Sequence, residues 1–141
     1  MDHLAILSKR LNLLSRILSG EKTIESRWYK FPKTPFRSIA AGDTVYFKES
    51  GCPVSAKAKV DNALFFAELD KGVFDDIVVK YGPRICISQS YWQHVKDKRL
   101  CTLIFLKDVK KIPPFQIDKA GYGNMAAWIT LDSIDRIRRS S

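Results

Sequence analysis

Ser19-Gly20-Glu21-Lys22-Thr23-Ile24-Glu25-Ser26-Arg27 is the stretch from which the rest of the chain is read, because the period of the apolar residues changes across it. Upstream, Leu4, Leu7, Leu11, Leu14 and Leu18 recur at helical spacing, with Leu13 and Ile17 broadening the stripe. That spacing predicts a helix over 3–18, with Asp2 as N-cap and Gly20 as its stop. Downstream, Thr23 to Tyr29 is rich in β-branched and aromatic residues and follows a turn, so a strand is predicted there. On that strand Thr23, Glu25 and Arg27 share one face, and Lys22 sits at the turn.

Working outward, Pro32 and Pro35 bracket a basic loop, and Gly42-Asp43 turns the chain into a strand over 44–48. Ser50-Gly51-Cys52-Pro53 turns it again into a longer run over 54–66. A helix is predicted over 70–81, with Val73, Phe74, Ile77 and Val78 inward and Gly82-Pro83 ending it. Ser88 or Ser90 caps a short helix through Tyr91, Trp92 and Val95. Residues 100–106 read as a buried strand. Residues 109–112 read as a separate strand stopped by Pro113-Pro114, and 127–131 as the last one. Residues 132–141 read as a short, mobile basic tail carrying Arg136, Arg138 and Arg139, helical through Asp132/Arg136 and Asp135/Arg139 pairs. Strands with one or two helices and no regular βαβ alternation argue for an α+β fold. Five or six such strands close best as a small mixed, largely antiparallel barrel with flanking helices. With no repeat or linker, 1–141 reads as a single domain.

The 141 residues are 45% hydrophobic and 11% aromatic, which excludes a disordered chain. No apolar run approaches the roughly 20 residues a bilayer crossing needs, and the N-terminal stretch reads as a helix, not an export signal. The expected setting is cytoplasmic, away from membranes. Twenty-four Lys and Arg stand against fifteen Asp and Glu, a net charge of +9. Such an excess predicts a polyanionic partner. It is uneven: residues 61–76 hold five acids and one lysine. Cys52, Cys86 and Cys101 form no CxxC pair, and His3 and His94 stand alone, so neither a metal nor a cofactor is expected. Gly121-Tyr122-Gly123-Asn124-Met125-Ala126 matches a dinucleotide fingerprint in letters only, since no strand leads into it and no helix follows.

The run Gly20-x-Lys22-x-x-Glu25-x-Arg27 resembles the first-strand motif of the ASCH domain, a member of the PUA-like superfamily. Gly42-Asp43-Thr44-Val45-Tyr46-Phe47 resembles that family's second strand. Thr102 to Leu106 with Val109 to Ile112, then Pro114 to Lys119 with Trp128, resemble its later segments in the right order. The resemblance covers roughly residues 13 to 131. It implies a small barrel with helices over one end and a cleft beside the first strand. It also implies binding of RNA, single-stranded or looped, in some relatives with a base turned into that cleft. Small bacterial members include a ribonuclease and an amidohydrolase acting on acetylated cytidine. The amidohydrolases carry a threonine three residues after the lysine, where this chain has Glu25.

The residues themselves support two readings of that strand. Glu25 and Arg27, two apart, can pair and hold the guanidinium in one rotamer for a phosphate or a base edge, with Lys22 as an uncommitted charge at the mouth. Alternatively the pair ties the barrel together. A catalytic version uses the same floor: Lys22 as base or nucleophile, Glu25 exchanging protons, Thr23 as the nearby hydroxyl. In the following loop Trp28, Tyr29, Phe31 and Phe36 interleave with Arg27, Lys30, Lys33 and Arg37, the mixture that grips single strands. Trp28 and Phe36 can equally plug the barrel. Tyr91 and Trp92, next to several cations, form a second groove edge or, for Trp92, core. Lys57, alternating with alanines, lines a groove wall. Ser50-Gly51 and Gly123-Asn124 are loops able to offer backbone donors. An adaptor for an acidic protein partner would account for the charge but not for the Lys22–Glu25–Arg27 arrangement.

Overall fold

The computed structural model describes residues 1–86, 88–123 and 126–139. Six strands form one mixed sheet: β1 (Asp2–Leu7), β2 (Ile24–Tyr29), β3 (Thr44–Glu49), β4 (Val54–Phe66), β5 (Leu100–Phe115) and β6 (Trp128–Leu131). Their order is β2-β5-β4-β3-β1-β6, with β1 and β3 parallel and the other neighbours antiparallel. The sheet curls into a half-barrel, so its two edge strands, β2 and β6, face each other across an open seam. Among the described residues three α-helices flank it: α1 (Leu13–Ser19), α2 (Lys71–Ile85) and α3 (Gln89–Val95). No helix among the described residues is long and apolar enough to cross a membrane.

The α+β half-barrel agrees with the expectation, and four local expectations do not. The helix over 3–18 is a strand in its first half. Residues 2–7 pair with β3 and residues 2–5 also with β6, and His3, Leu4, Ala5 and Leu7 are all buried. A strand covered on both faces reads as a continuous apolar run, and this one happens to match helical spacing. Only Leu13, Leu14 and Ile17 keep the helical stripe, and Gly20 ends it in the left-handed conformation, φ 85°. Asp2 accordingly caps no first helix; its carboxylate accepts from the Ile134 amide at 2.8 Å.

Second, α2 does not stop at Gly82-Pro83 but runs to Ile85 and ends on Cys86, φ 59°. Its last turn is held from outside: the buried Ile85 carbonyl accepts from Lys22 Nζ at 2.7 Å, and the Arg84 carbonyl accepts from the Thr23 amide at 3.0 Å. Third, the two late strands are one. β2 pairs only with residues 100–105 of β5, so the half beyond 106 has one free edge where Pro113 and Pro114 need donate nothing. Fourth, the basic tail is docked over 132–139, and 140–141 lie outside the described residues. Ile134 and Ile137 are buried beside Leu4, Val54, Ile129 and Leu131, and Arg138 bridges to Ile117. The Asp132–Arg136 ion pair forms, whereas Asp135 pairs with Arg138.

Candidate functional site

Alternation along β2 sends its side chains to two places. Ile24 and Trp28 join the apolar cluster under α2 and α3. There Trp28 meets Phe74 and Trp92 edge-to-face, with ring centroids 5.7 and 5.9 Å away, and its Nε1–H donates to Ser26 Oγ at 2.9 Å. Trp28 is buried in this cluster and Trp92, half-buried, packs against it.

Glu25 and Arg27 point the other way, into the seam. The Glu25 carboxylate is buried and fully used: Oε1 accepts from the Ser26 amide at 3.0 Å and lies 3.3 Å from Lys22 Nζ, and Oε2 accepts from Arg27 Nη2 at 3.1 Å. Burial pushes this carboxyl up, but the Lys22 and Arg27 cations outweigh it and hold it below the usual range. In this arrangement it is the counter-ion of Lys22 and Arg27.

Lys22 departs from expectation. It is not an uncommitted charge at the mouth but a side chain only 1% exposed. Its ammonium donates to the Ile24 carbonyl at 2.8 Å and the Ile85 carbonyl at 2.7 Å, with Glu25 as third neighbour. A lysine has three N–H donors, and all three have acceptors here. Burial lowers its affinity for the proton and Glu25 partly restores it. Its place is the C-terminus of α2, where a cation meets orphan carbonyls and the negative end of the helix dipole. Thr23 belongs to the same joint: its hydroxyl accepts from Arg84 Nε at 3.0 Å.

Arg27 spans the seam. From β2 it donates to the Ile6 carbonyl of β1 at 3.4 Å and, just before β6, to the Ala127 carbonyl at 3.3 Å. Its guanidinium lies over the Trp128 ring, 5.0 Å from the centroid, and stays partly exposed. Trp128 is held in turn by His3: the indole N–H donates to Nδ1 at 3.2 Å, and Nε2 donates to Asp43 at 2.8 Å. The surface between these groups is a cavity of about 350 Å³ lined by Arg27, Trp28, Tyr29, Lys33, Thr34, Tyr91 and residues 126–128. The cavity lies beside β2, and Arg27 is part of its wall.

The remaining expected residues divide. Tyr91 and Lys33 line the cavity. Lys30 and Arg37 are exposed in the following loop, Arg37 over the Phe36 ring at 5.1 Å. Phe36 packs edge-to-face on Tyr29 and Phe65 and is half-buried, so it pins the loop. The free ring of that loop is Phe31, 74% exposed. Lys57 lies apart, in a hollow on β4 with Thr44, Lys59 and Lys110. Of the loop donors, Gly123 is described and Asn124 lies outside the described residues. Two groups are given no site role by the sequence: Trp128, which enters only through the family resemblance, and Arg16, which donates to the Cys86 carbonyl at 3.0 Å. Trp128 reads as one more apolar letter in a short strand, and Arg16 as the polar face of a helix.

A small α+β half-barrel with flanking helices and a cavity at its seam is the class that this geometry defines. Among solved structures the ASCH protein of Zymomonas mobilis is similar at 16% identity, over 96% of this chain and 90% of that one, with a TM-score of 0.70. A single-residue variant of that protein gives 17% identity, 92% and 89% coverage and a TM-score of 0.69. A hypothetical protein, PH0355, gives 20% identity over 79% of this chain and all of that one, with a TM-score of 0.52. No family profile and no curated protein matches. The chain has the ASCH-domain fold.

Proposed function

We propose that this protein binds single-stranded or looped RNA, seating one nucleotide in the seam cavity between Arg27 and Tyr91. The observation that carries the reading is Arg27 itself. It is a guanidinium fixed by Glu25, backed by the Trp128 ring and exposed on the side that faces the cavity. A cation so held loses little freedom on meeting a phosphate or a base edge. Lys33 on the same wall and the exposed Lys30, Phe31 and Arg37 extend the surface with phosphate contacts and one stacking ring. The chain's +9 charge supplies the attraction.

The test is binding of a short labelled RNA across a salt series. Affinity falls steeply with salt, and Lys33→Ala lowers the slope of log K against log salt by about one. Arg27→Ala weakens binding beyond what one lost phosphate contact explains. A flat salt response in the wild type overturns the proposal. Lys33 is exposed, so its variant keeps the test meaningful if Arg27→Ala fails to fold.

A further inference from the structure

The seam cavity is not isolated. A second hollow of about 150 Å³ shares Arg27 and Tyr91 with it and continues past Ser8, Leu11 and Leu13. A third, of about 240 Å³, shares Leu11, Leu13 and Tyr91 with the second and ends at Arg10 and Arg16. Tyr91 borders all three, so they are successive compartments of one groove around a single ring. The chemistry along it alternates. Lys33 and Arg27 stand at one end, Leu11, Leu13 and the Tyr91 ring line the middle beside the Glu25 carboxylate, whose charge is matched by Lys22 and Arg27, and Arg10 and Arg16 stand at the other.

Charge, apolar wall and charge is the order in which a strand of nucleic acid presents phosphate, base and phosphate. A free nucleoside has nothing for the far pair of arginines. Arg16 is set in place there, because its bond to the Cys86 carbonyl ties it to the end of α2. The guanidinium has five N–H donors, and that bond uses one of them. Arg10, on the turn that precedes α1, is exposed at the outer lip.

We propose that Arg10 and Arg16 form a second phosphate subsite, and that the ligand of the groove is an RNA strand of about three nucleotides or more, not a mononucleotide. The proposal rests on the RNA reading of the seam cavity, and the two can fail separately.

The experiment compares uridine 5′-monophosphate with hexauridylate by calorimetry at 0.15 M salt, for the wild type and Arg10→Glu. The hexamer binds the wild type at least thirtyfold more tightly than the monomer. Arg10→Glu costs the hexamer about tenfold and leaves the monomer unchanged. At this ionic strength charges more than about 8 Å apart are largely screened, so an effect confined to the longer ligand is local. If length adds nothing, or Arg10→Glu weakens both ligands equally or neither, the second subsite is overturned while the seam cavity stands. If neither ligand binds the wild type, both readings fall. Arg16→Lys, which keeps the charge and loses the planar fork, reports independently: a drop for the hexamer alone supports the subsite, and no change counts against it.

Discussion

On one bank of the seam Glu25 sits between Lys22 and Arg27, a carboxylate kept ionised by two cations. On the other bank His3 sits between Trp128 and Asp43, fully buried. Burial pulls the His3 pKa down; Asp43 opposes it without prevailing, so the imidazole is neutral. The acceptor role of Nδ1 toward the indole places the proton on Nε2. Each cluster holds a carboxylate, but the first sets it between two cations and the second sets it against a neutral imidazole. The ionic one orients backbone, since Lys22 fastens the end of α2 to the start of β2. The neutral one orients a ring, and the cation of the first cluster rests on that ring. Cleft geometry thus depends on both banks, while the charge exposed to a ligand comes from one.

The largest effect expected from this contrast is in Glu25→Gln. The substitution leaves Lys22 and Arg27 near each other with no counter-charge, and breaking a buried ion pair from one side costs about 3–5 kcal/mol. Asp43→Asn keeps one oxygen for the imidazole and the Ala40 amide but loses the charge and the second acceptor, which serves the terminal ammonium, and costs about 1–3 kcal/mol, the range for a buried hydrogen bond left imperfect. Urea titrations of both variants at pH 7 measure the difference. Equal losses would dissolve the distinction between the banks.

The next effect is in pH. The folded pKa of His3 lies below the ordinary 6.5, so the unfolded chain takes up this proton more readily. Stability is therefore fully present above about pH 6.5 and is lost as pH falls through the folded value. Each unit of depression corresponds to about 1.4 kcal/mol. The groups facing the ring are Asp43, Trp128 and Thr130, with the terminal ammonium and Asp2 acting at longer range. Glu25 is depressed too, but its window lies below about pH 4.5. Between pH 7 and 5 the slope should vanish in His3→Gln and persist in Glu25→Gln. A slope unchanged by His3→Gln would assign the titration to another group.

How far the sequence anticipates this follows from what each residue needs. The Lys22–Glu25–Arg27 spacing is legible because β alternation and one turn bring the three together locally. The fate of Lys22 is not, because the carbonyl that takes it belongs to Ile85, sixty-three residues away. Likewise β1 is hidden: His3, Leu4 and Ala5 are consecutive and all buried, so the strand shows no alternation, and its pairing with β3 and β6 is long-range information. Pro113 and Pro114 read as a stop only while β5 is assumed to be paired on both edges. Trp28 and Trp92 carry the same letter in a groove as in a core; the packing of α2 and α3 decides between them.

The smallest effect comes from a charge outside both clusters. Lys57 stands opposite Lys110 in the β4–β5 register, and like charges so placed repel. Its ammonium also lies 6.0 Å from the Tyr46 centroid, a weak attraction that offsets the repulsion. Lys57 is half-buried with a solvated head, so water screens both terms, unlike those at Glu25. Lys57→Ala should change stability by less than about 0.5 kcal/mol. Because Lys57 lines none of the compartments along Tyr91, the affinity and salt slope for hexauridylate should be those of the wild type. If instead Lys57→Ala weakens RNA as much as Lys33→Ala, the strand also crosses the outer face of β4 and the ligand path is not confined to the seam.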